Sequence, residues 1–176
     1  MTASNPVLRD ACAGDAPAIA AIYNHYVATT VISMESDPVG ADEMVRRLAD
    51  VQNAALPWLV LVDSGNVLAY AYATKWRARP GYRHAVESSV YVDAAQRGRG
   101  LGLTLYRALI ARLAGRFHCV IGGIALPNPA SVALHERLGF RQVACFTEVG
   151  HKFGNWVDVG YWQLHLPDAQ SPHTPA

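Results

Sequence analysis

The sequence predicts an α/β fold, with a mixed central sheet of six or seven strands flanked by helices. Apolar runs of strand length alternate with amphipathic stretches of helical period along the 176-residue chain. Hydrophobic residues make up 51% of it, which suits one sizeable core, and we find no internal linker or repeat. We therefore predict a single domain over residues 1–166, followed by a disordered polar, proline-rich tail over residues 167–176.

The first half of the chain predicts three strands and two helices. Val7–Cys12 is a short strand, and Gly14-Asp15 offers a helix N-cap with Pro17 in the first turn. A second amphipathic helix follows from the spacing of Val39, Met44, Leu48 and Val51. The runs "WLVLV" and "VLAYAYA" flank "DSGN", which indicates a β-hairpin.

The second half predicts the remaining strands around two helices. "AVESSVYV" is a fourth strand, and a long helix carries leucines 101, 105, 109 and 113. "CVIGGIA" has the apolar character of a buried strand, and Ser131–Leu138 is a short helix closed by Gly139. The last two strands are "FRQVACFTEV" and "DVGYWQLHL".

Charge and composition disfavour several classes of function. The 15 basic and 14 acidic side chains give a net charge of +1, which argues against a general nucleic-acid binder. No apolar run reaches the roughly 20 residues needed to span a bilayer, and the first residues lack a signal-peptide pattern. The three distant cysteines suit a reduced, cytoplasmic protein, and no Cys/His spacing predicts a metal.

The stretch "QRGRGLG", residues 96–102, precedes the long predicted helix. A helix N-terminus carries unpaired N–H groups and a partial positive charge, which attract phosphate oxygens. Glycine lets the backbone approach a ligand, and Arg97 and Arg99 add charge and donors. The stretch is typical of a diphosphate cradle, although a plain glycine-rich connector has the same composition. Its G-x-G-x-G spacing differs from the dinucleotide fingerprint, and the missing Gly-Lys-Ser/Thr excludes a P-loop.

The sequence resembles the GNAT acetyltransferase superfamily. It has the family's motif Arg/Gln-x-x-Gly-x-Gly at Arg97, Gly100 and Gly102, after the strand "SSVYV". The stretches "ESSVYV", "IALPNPASVALHERLGF" and "GNWVDVGYWQL" are similar to a narrower group. That group acetylates phosphinothricin, methionine sulfone and sulfoximine, or arsinothricin. The resemblance covers Val7 to Leu166 and implies the GNAT fold, acetyl-coenzyme A as cosubstrate and a homodimer.

The resemblance also implies where coenzyme A binds. The glycine loop takes the pyrophosphate, the β-strand before it runs beside the pantetheine arm, and the short helix adds contacts. The backbone N–H of Val90 is the best candidate to hold the thioester carbonyl. The implied cofactor residues are Val90, Tyr91, Val92, Arg97, Gly98, Arg99, Gly100, Leu101, Gly102, Leu103, Asn128, Ser131 and Arg137.

The catalytic residues that the resemblance implies are Glu87 and His135. A partly desolvated glutamate is a better base near neutral pH, so Glu87 is the expected general base. His135 is either an assisting catalytic residue or a packed structural one. "KWRARPGYRHAVE" leads into Glu87, and arginine forks suit carboxylates and related oxyanions. A solvated basic loop is the alternative. The expected acceptor residues are Arg77, Arg79, Glu87, Ser88 and Ser89. Arg79 is the one expected to hold the acceptor carboxylate, because the turn at Pro80-Gly81 could aim it back over Glu87.

We interpret the sequence as a cytoplasmic N-acetyltransferase that acts on the α-amine of a small amino acid or analogue. It is expected to transfer acetyl directly, with no metal and no nucleic-acid or membrane partner. The pattern at "HKFGNWVD" is closer to the methionine-sulfone enzymes, whereas the Arg-Ala-Arg and "GIALPN" stretches are closer to the phosphinothricin and arsinothricin enzymes. The alternatives are a non-catalytic acyl-coenzyme A-binding module or a protein or peptide amine acetyltransferase. A dinucleotide-binding oxidoreductase is more distant.

Overall fold

The computed structural model describes residues 6–167, which form seven strands and four α-helices. The helices are α1 Ala16–Thr29, α2 Ala41–Asn53, α3 Leu101–Leu113 and α4 Pro129–Arg137. The strands are β1 Val7–Asp10, β2 Trp58–Asp63, β3 Asn66–Lys75, β4 Ala85–Val92, β5 Cys119–Leu126, β6 Arg141–Lys152 and β7 Asn155–His165. The predicted fold class is confirmed. The predicted tail lies outside the described residues, apart from Pro167.

The seven strands form one mixed sheet in the order β1-β2-β3-β4-β5-β7-β6. Every neighbouring pair is antiparallel except β4 and β5, which run parallel. Helix α1 packs on β3 and β4, α2 packs on β2 and β3, and α3 packs on β2, β3 and β4. Tyr23 and Tyr26 of α1 meet the ring of Tyr91 edge-on, whereas Tyr106 of α3 bonds to Ser88. Because neighbouring residues of a strand point to opposite faces, α1 and α3 lie on opposite faces of the sheet.

The parallel pairing of β4 with β5 is short, and this creates a gap in the sheet. Strands β4 and β5 pair from Ala85 with Cys119 to Glu87 with Ile121, and the recorded pairing ends there. Both strands continue, β4 to Val92 alongside β3 and β5 to Leu126 alongside β7. The sheet therefore opens beyond Glu87 into a gap between two half-sheets.

The boundaries of some elements differ from the sequence prediction. Strand β1 ends at Asp10 rather than Cys12, and Val39 precedes α2 instead of opening it. The last two strands are longer than predicted and join at Phe153-Gly154. Both turn residues have positive φ, 51° and 77°, as in the tight hairpin turns that match strand twist. An aromatic residue is uncommon there, so composition did not indicate the turn.

No helix within residues 6–167 has the length and apolar character needed to cross a bilayer.

Candidate active site

A cleft of about 490 Å³ continues the gap between β4 and β5. It is lined by the end of β4, the glycine loop, the first turn of α3 and one face of α4. Twelve of the thirteen residues predicted to hold the cofactor line it. These are Val90, Tyr91, Val92, Arg97, Gly98, Gly100, Leu101, Gly102, Leu103, Asn128, Ser131 and Arg137.

The glycine loop brings free N–H groups to the mouth of the cleft. Gly98 and Gly100 have φ of +77° and +76°, a left-handed conformation that side chains resist. The first hydrogen bond of α3 runs from the Thr104 N–H to the Gly100 carbonyl, at 3.1 Å. The N–H groups of residues 101–103 precede it and have no intrahelical acceptor. Arg97 lies 5.1 Å from the centroid of the Tyr26 ring, which also lines the cleft. The loop is thus built to hold an anion.

Arg99 is the predicted cofactor residue whose side chain lies outside this cleft. Its guanidinium donates a hydrogen bond to the side-chain oxygen of Gln96. It lines a second concavity of about 600 Å³, which α1 and the β2–β3 turn enclose from the other side. The two arginines of the loop therefore point to different sides: Arg97 lines the cleft, and Arg99 lines the second concavity.

Glu87 is the last residue of β4 that pairs with β5, at the point where the gap begins, and it is not among the residues that line the cleft. Its Oε1 atom would lie 3.3 Å from a Cβ atom placed on Gly123 of β5, and the ring of Tyr161 would be as close. Burial raises the pKa of Glu87, and the positive charge of Arg77 partly opposes this rise. A raised pKa makes the ionised carboxylate a stronger base than an ordinary glutamate.

His135 reaches the gap from the opposite face of the sheet. Its ring lies over Gly122, where an added Cβ would approach the ring Cδ2 atom to 2.7 Å. Gly122 and Gly123 are adjacent in β5, so His135 and Glu87 approach opposite faces. The Nδ1 atom of His135 is 2.8 Å from the Ser131 carbonyl, and its Nε2 atom is 3.0 Å from the Tyr106 hydroxyl. Burial lowers the pKa of His135, which favours the neutral ring.

The predicted acceptor residues are only partly brought together. Arg77 stacks on the ring of Trp76, at 4.0 Å from its centroid, and acts electrostatically on Glu87. Arg79 is exposed at the start of a 3₁₀ turn. Its side chain makes no polar contact with another residue of the range 6–167. Ser89 lines a small cavity of about 50 Å³ in the gap. Ser88 also borders that cavity, but its hydroxyl bonds to Tyr106 on the α3 face.

Sequence reasoning missed the aromatic side chains around Glu87 and His135. Tyr161 contacts Trp76 and Phe146 edge-on, with ring centroids 5.7 Å and 5.6 Å apart. Tyr106 is fully buried against His135. The double glycine in "CVIGGIA" was a usable signal, because glycine inside a strand often marks close approach by another group. In this sheet it admits one side chain on each face.

A metal site does not form in the described part of the chain, since no three His, Cys, Asp or Glu side chains there cluster suitably.

Comparison with known proteins agrees with this geometry. A family model described as an acetyltransferase (GNAT) domain matches residues 8–160. The phosphinothricin N-acetyltransferase of Streptomyces viridochromogenes is 39% identical over 171 residues, which cover 96% of this chain and 93% of that protein. The L-methionine sulfoximine/L-methionine sulfone acetyltransferase of Pseudomonas aeruginosa is 41% identical over 169 residues, 93% of this chain and 96% of that protein.

Solved structures give the same result. The phosphinothricin acetyltransferase of Sinorhizobium meliloti, crystallised with AcCoA, superposes with a TM-score of 0.89 at 35% identity. The match covers 96% of this chain and 93% of that one.

A sheet that opens at its parallel pair, with a helix N-terminus suited to an anion beside the opening and a carboxylate where the strands part, is compatible with acyl transfer from a phosphate-bearing thioester. The family match identifies the protein as an acyltransferase. The chain belongs to the GNAT acetyltransferase family, and it is an acetyltransferase. The family assignment made from the sequence is confirmed.

The two glycines of β5 allow a direct test of the opposite-face arrangement. Gly122→Ala should lower the free energy of unfolding by about 1–3 kcal/mol, because the new methyl group meets a buried ring held by two hydrogen bonds. Gly123→Ala should cost less than about 1 kcal/mol, since Glu87 is only half-buried and can move. Urea unfolding of both variants measures the difference. Equal losses would contradict the placement of His135 over Gly122.

Proposed function

We propose that the enzyme transfers acetyl from acetyl-coenzyme A to the α-amine of a small amino acid or analogue, of the phosphinothricin, methionine sulfone/sulfoximine or arsinothricin type. The observation that carries this proposal is the position of Glu87. Its carboxylate stands at the base of the gap, on the face where Arg77 acts on it and Tyr161 lies beside it. Relatives named for phosphinothricin and for methionine sulfoximine support the acceptor class.

The residues that line the cleft offer suitable contacts for acetyl-coenzyme A. The N–H groups of residues 101–103 and the guanidinium of Arg97 suit a pyrophosphate. The pantetheine arm would run along Val90–Val92, whose edge toward β5 is unpaired, with Asn128 and Ser131 opposite. Arg137 lines the same cleft on α4 and suits the nucleotide end. Bound there, the cosubstrate supplies a thioester carbonyl at the gap, and the N–H of Val90 is the donor we assign to it.

The acceptor would enter on the Glu87 face. Its α-ammonium, with a pKa near ~8, must lose a proton before it can attack. Glu87 accepts that proton, directly or through a water molecule. Arg77 is the better candidate for binding the acceptor carboxylate, because its charge reaches Glu87 whereas Arg79 makes no comparable contact among the described residues. The rings of Trp76, Tyr161 and Phe146 would enclose a short side chain.

Transfer is direct in this mechanism, without an acyl-enzyme. Cys119 is buried, while Cys12 and Cys145 are exposed, and no cysteine lines the cleft or the small cavity among the described residues. Ser88 borders the gap, but its hydroxyl contacts Tyr106, a phenol whose pKa burial raises well above the ordinary range. A phenol that holds its proton so firmly cannot serve as a base for Ser88. We also propose a cytoplasmic location, which unpaired cysteines suit and cell fractionation would test.

A thiol-release assay tests the reaction and the role of Glu87 together. With acetyl-coenzyme A, we expect turnover of phosphinothricin, methionine sulfone or methionine sulfoximine, and little turnover of lysine peptides. Glu87→Gln should lower kcat by about 10²–10⁴-fold, because the general base is lost, and the defect should narrow at high pH as more amine is free. Glu43→Gln on α2 is the matched control.

Three outcomes of that assay would contradict the proposal. Coenzyme A binding without turnover of any amine would indicate a non-catalytic acyl-coenzyme A-binding module. Preferred turnover of peptides would indicate a protein or peptide acetyltransferase. Wild-type turnover by Glu87→Gln at pH 7 would remove the carboxylate from the mechanism.

The glycine loop gives a second prediction. Gly100→Val should abolish measurable coenzyme A binding in calorimetry, because a side chain at φ +76° forces the loop out of its anion-binding conformation. Gly65→Val in the β2–β3 turn is the matched control, since Gly65 has a φ of +81° and lies outside the cleft. Both variants should lose about 1–3 kcal/mol of stability, and Gly65→Val should bind normally. Unchanged affinity of Gly100→Val would place the cofactor elsewhere.

We further propose a homodimer formed through the β6–β7 hairpin. Strand β6 is an edge strand, and Val143, Phe146 and Val149 on it are 54–61% exposed, as is Trp156 on β7 at 64%. Exposed apolar edges of this length are sites of association.

Sedimentation velocity tests the dimer. Wild-type protein should sediment as a dimer of the 19.1 kDa chain, and Val149→Lys as a monomer, because the charge would be buried in the interface. Val7→Lys is the matched control, since Val7 is 62% exposed on β1 at the opposite edge of the sheet. A wild-type monomer, or equal dissociation by both substitutions, would overturn the proposed interface.

A further inference from the structure

A buried chain of hydrogen bonds connects the elements that surround the gap. The Ser88 hydroxyl of β4 is 2.7 Å from the Tyr106 hydroxyl of α3, which is 3.0 Å from Nε2 of His135 on α4. The Nδ1 atom of His135 is 2.8 Å from the carbonyl of Ser131, one turn earlier in α4. Tyr106, His135 and Ser88 are at most 5% exposed. Buried polar groups linked in this way set a specific local geometry.

The chemistry of the partners fixes the direction of each hydrogen bond. A carbonyl only accepts, so Nδ1 of His135 must carry the hydrogen. In the neutral ring Nε2 is then an acceptor, and the Tyr106 hydroxyl donates to it. The Ser88 hydroxyl donates in turn to the oxygen of Tyr106. When His135 is neutral, every side chain in this chain of hydrogen bonds has a partner in the direction it requires.

The opposite direction is less favourable. With both ring nitrogens of His135 protonated, Nε2 would donate to Tyr106, and Tyr106 would donate to Ser88. Ser88 would then have to donate to the carbonyl of Ile121, which lies at a long 3.4 Å. The geometry therefore favours one tautomer and one charge state, and burial of the ring has the same effect.

This chain of hydrogen bonds lies beside the gap. Ser88, Ser131 and His135 all border the small cavity between β4 and β5. His135 also lies over Gly122 of β5, so the chain touches both strands at the point where they separate. The hydroxyl of Tyr106 is the central link, since it alone joins β4 to α4 among these bonds.

We propose that Tyr106 is a positioning residue, which donates to Nε2 of the neutral His135 ring, whose hydrogen the Ser131 carbonyl keeps on Nδ1, and thereby holds His135 and α4 against β4 across the gap. Both ring nitrogens of His135 are then occupied, and the imidazole offers no free donor to a thiolate in the gap. The importance of His135 lies in the shape of the gap, not in proton delivery. The catalytic part of this inference rests on the proposed acetyl transfer, whereas the tautomer of His135 is independent of it.

Tyr106→Phe tests the proposal, because it removes the hydroxyl and keeps the buried ring. We expect kcat to fall about tenfold, as for loss of one buried hydrogen bond, with KM for acetyl-coenzyme A within twofold of wild type. In ¹⁵N NMR, wild-type His135 should show the Nδ1–H tautomer at pH 7, and Tyr106→Phe should keep that tautomer but shift the Nε2 signal, because Nε2 loses its hydrogen-bond donor. A residue that only fills the core would leave the ring nitrogen signals unchanged.

Tyr70→Phe is the matched control. Tyr70 is 1% exposed, but it stacks on Tyr91 on the opposite face of the sheet, so its hydroxyl has no part in the chain. This variant should keep wild-type kcat and the wild-type His135 spectrum. Should Tyr106→Phe fail to fold, Ser88→Ala provides the test, with a smaller fall in kcat and a shifted Nε2 signal.

Two results would overturn the inference. One is an Nε2–H tautomer or a doubly protonated His135 in the wild type at pH 7. The other is a wild-type kcat for Tyr106→Phe beside a large loss for Glu87→Gln, which would show that transfer occurs without help from the chain. Absence of acetyl transfer in every variant would contradict the proposed function, and the NMR result would still decide the tautomer.

Discussion

The early end of pairing between β4 and β5 is the constraint on which the rest of this structure depends. Three residue pairs join two half-sheets, and each strand then follows its outer neighbour. A sheet interior normally pairs its backbone groups, so an opening there leaves polar groups that a ligand can use. The separation also places Glu87, the last residue of β4 that pairs with β5, where the two strands part, and the cleft beyond this point is lined by the end of β4 and the N-terminus of α3. One irregularity therefore aligns the carboxylate with the anion-binding loop.

Two adjacent glycines in β5 leave room for different side chains on the two faces of the sheet at this gap. Gly123 leaves room for Glu87 and Tyr161, and Gly122 leaves room for His135. Burial moves the pKa values of the two groups in opposite directions, upward for Glu87 and downward for His135. Each shift favours the uncharged form, as low dielectric requires. In the proposed reaction Glu87 would take a proton from an incoming amine, whereas His135 is enclosed by fixed partners.

The sequence predicted the glycine loop well because its signals are local. Glycines before an apolar helix dictate a helix start with free N–H groups, whatever the surrounding fold. The structure accordingly places twelve of the thirteen expected residues along one cleft. Arg99 differs because the side to which each arginine turns depends on the φ values of Gly98 and Gly100, which composition does not encode. The roles of these residues in binding remain predictions.

The sequence by itself determined the α/β class, a sheet of six or seven strands, four helices and membership of the GNAT family, because period, turn residues and motifs are read within short windows. Only the tertiary structure decided which side chains meet. Tyr106 and His135 are 29 residues apart and Glu87 and Gly123 are 36 apart in the chain, and no local pattern specifies such pairs. Likewise, the sequence favoured Arg79 for the acceptor, yet both Arg77 and Arg79 are exposed in the fold, and it is the charge of Arg77 that acts on Glu87. Contacts of this kind follow from strand order and register, which are properties of the whole sheet.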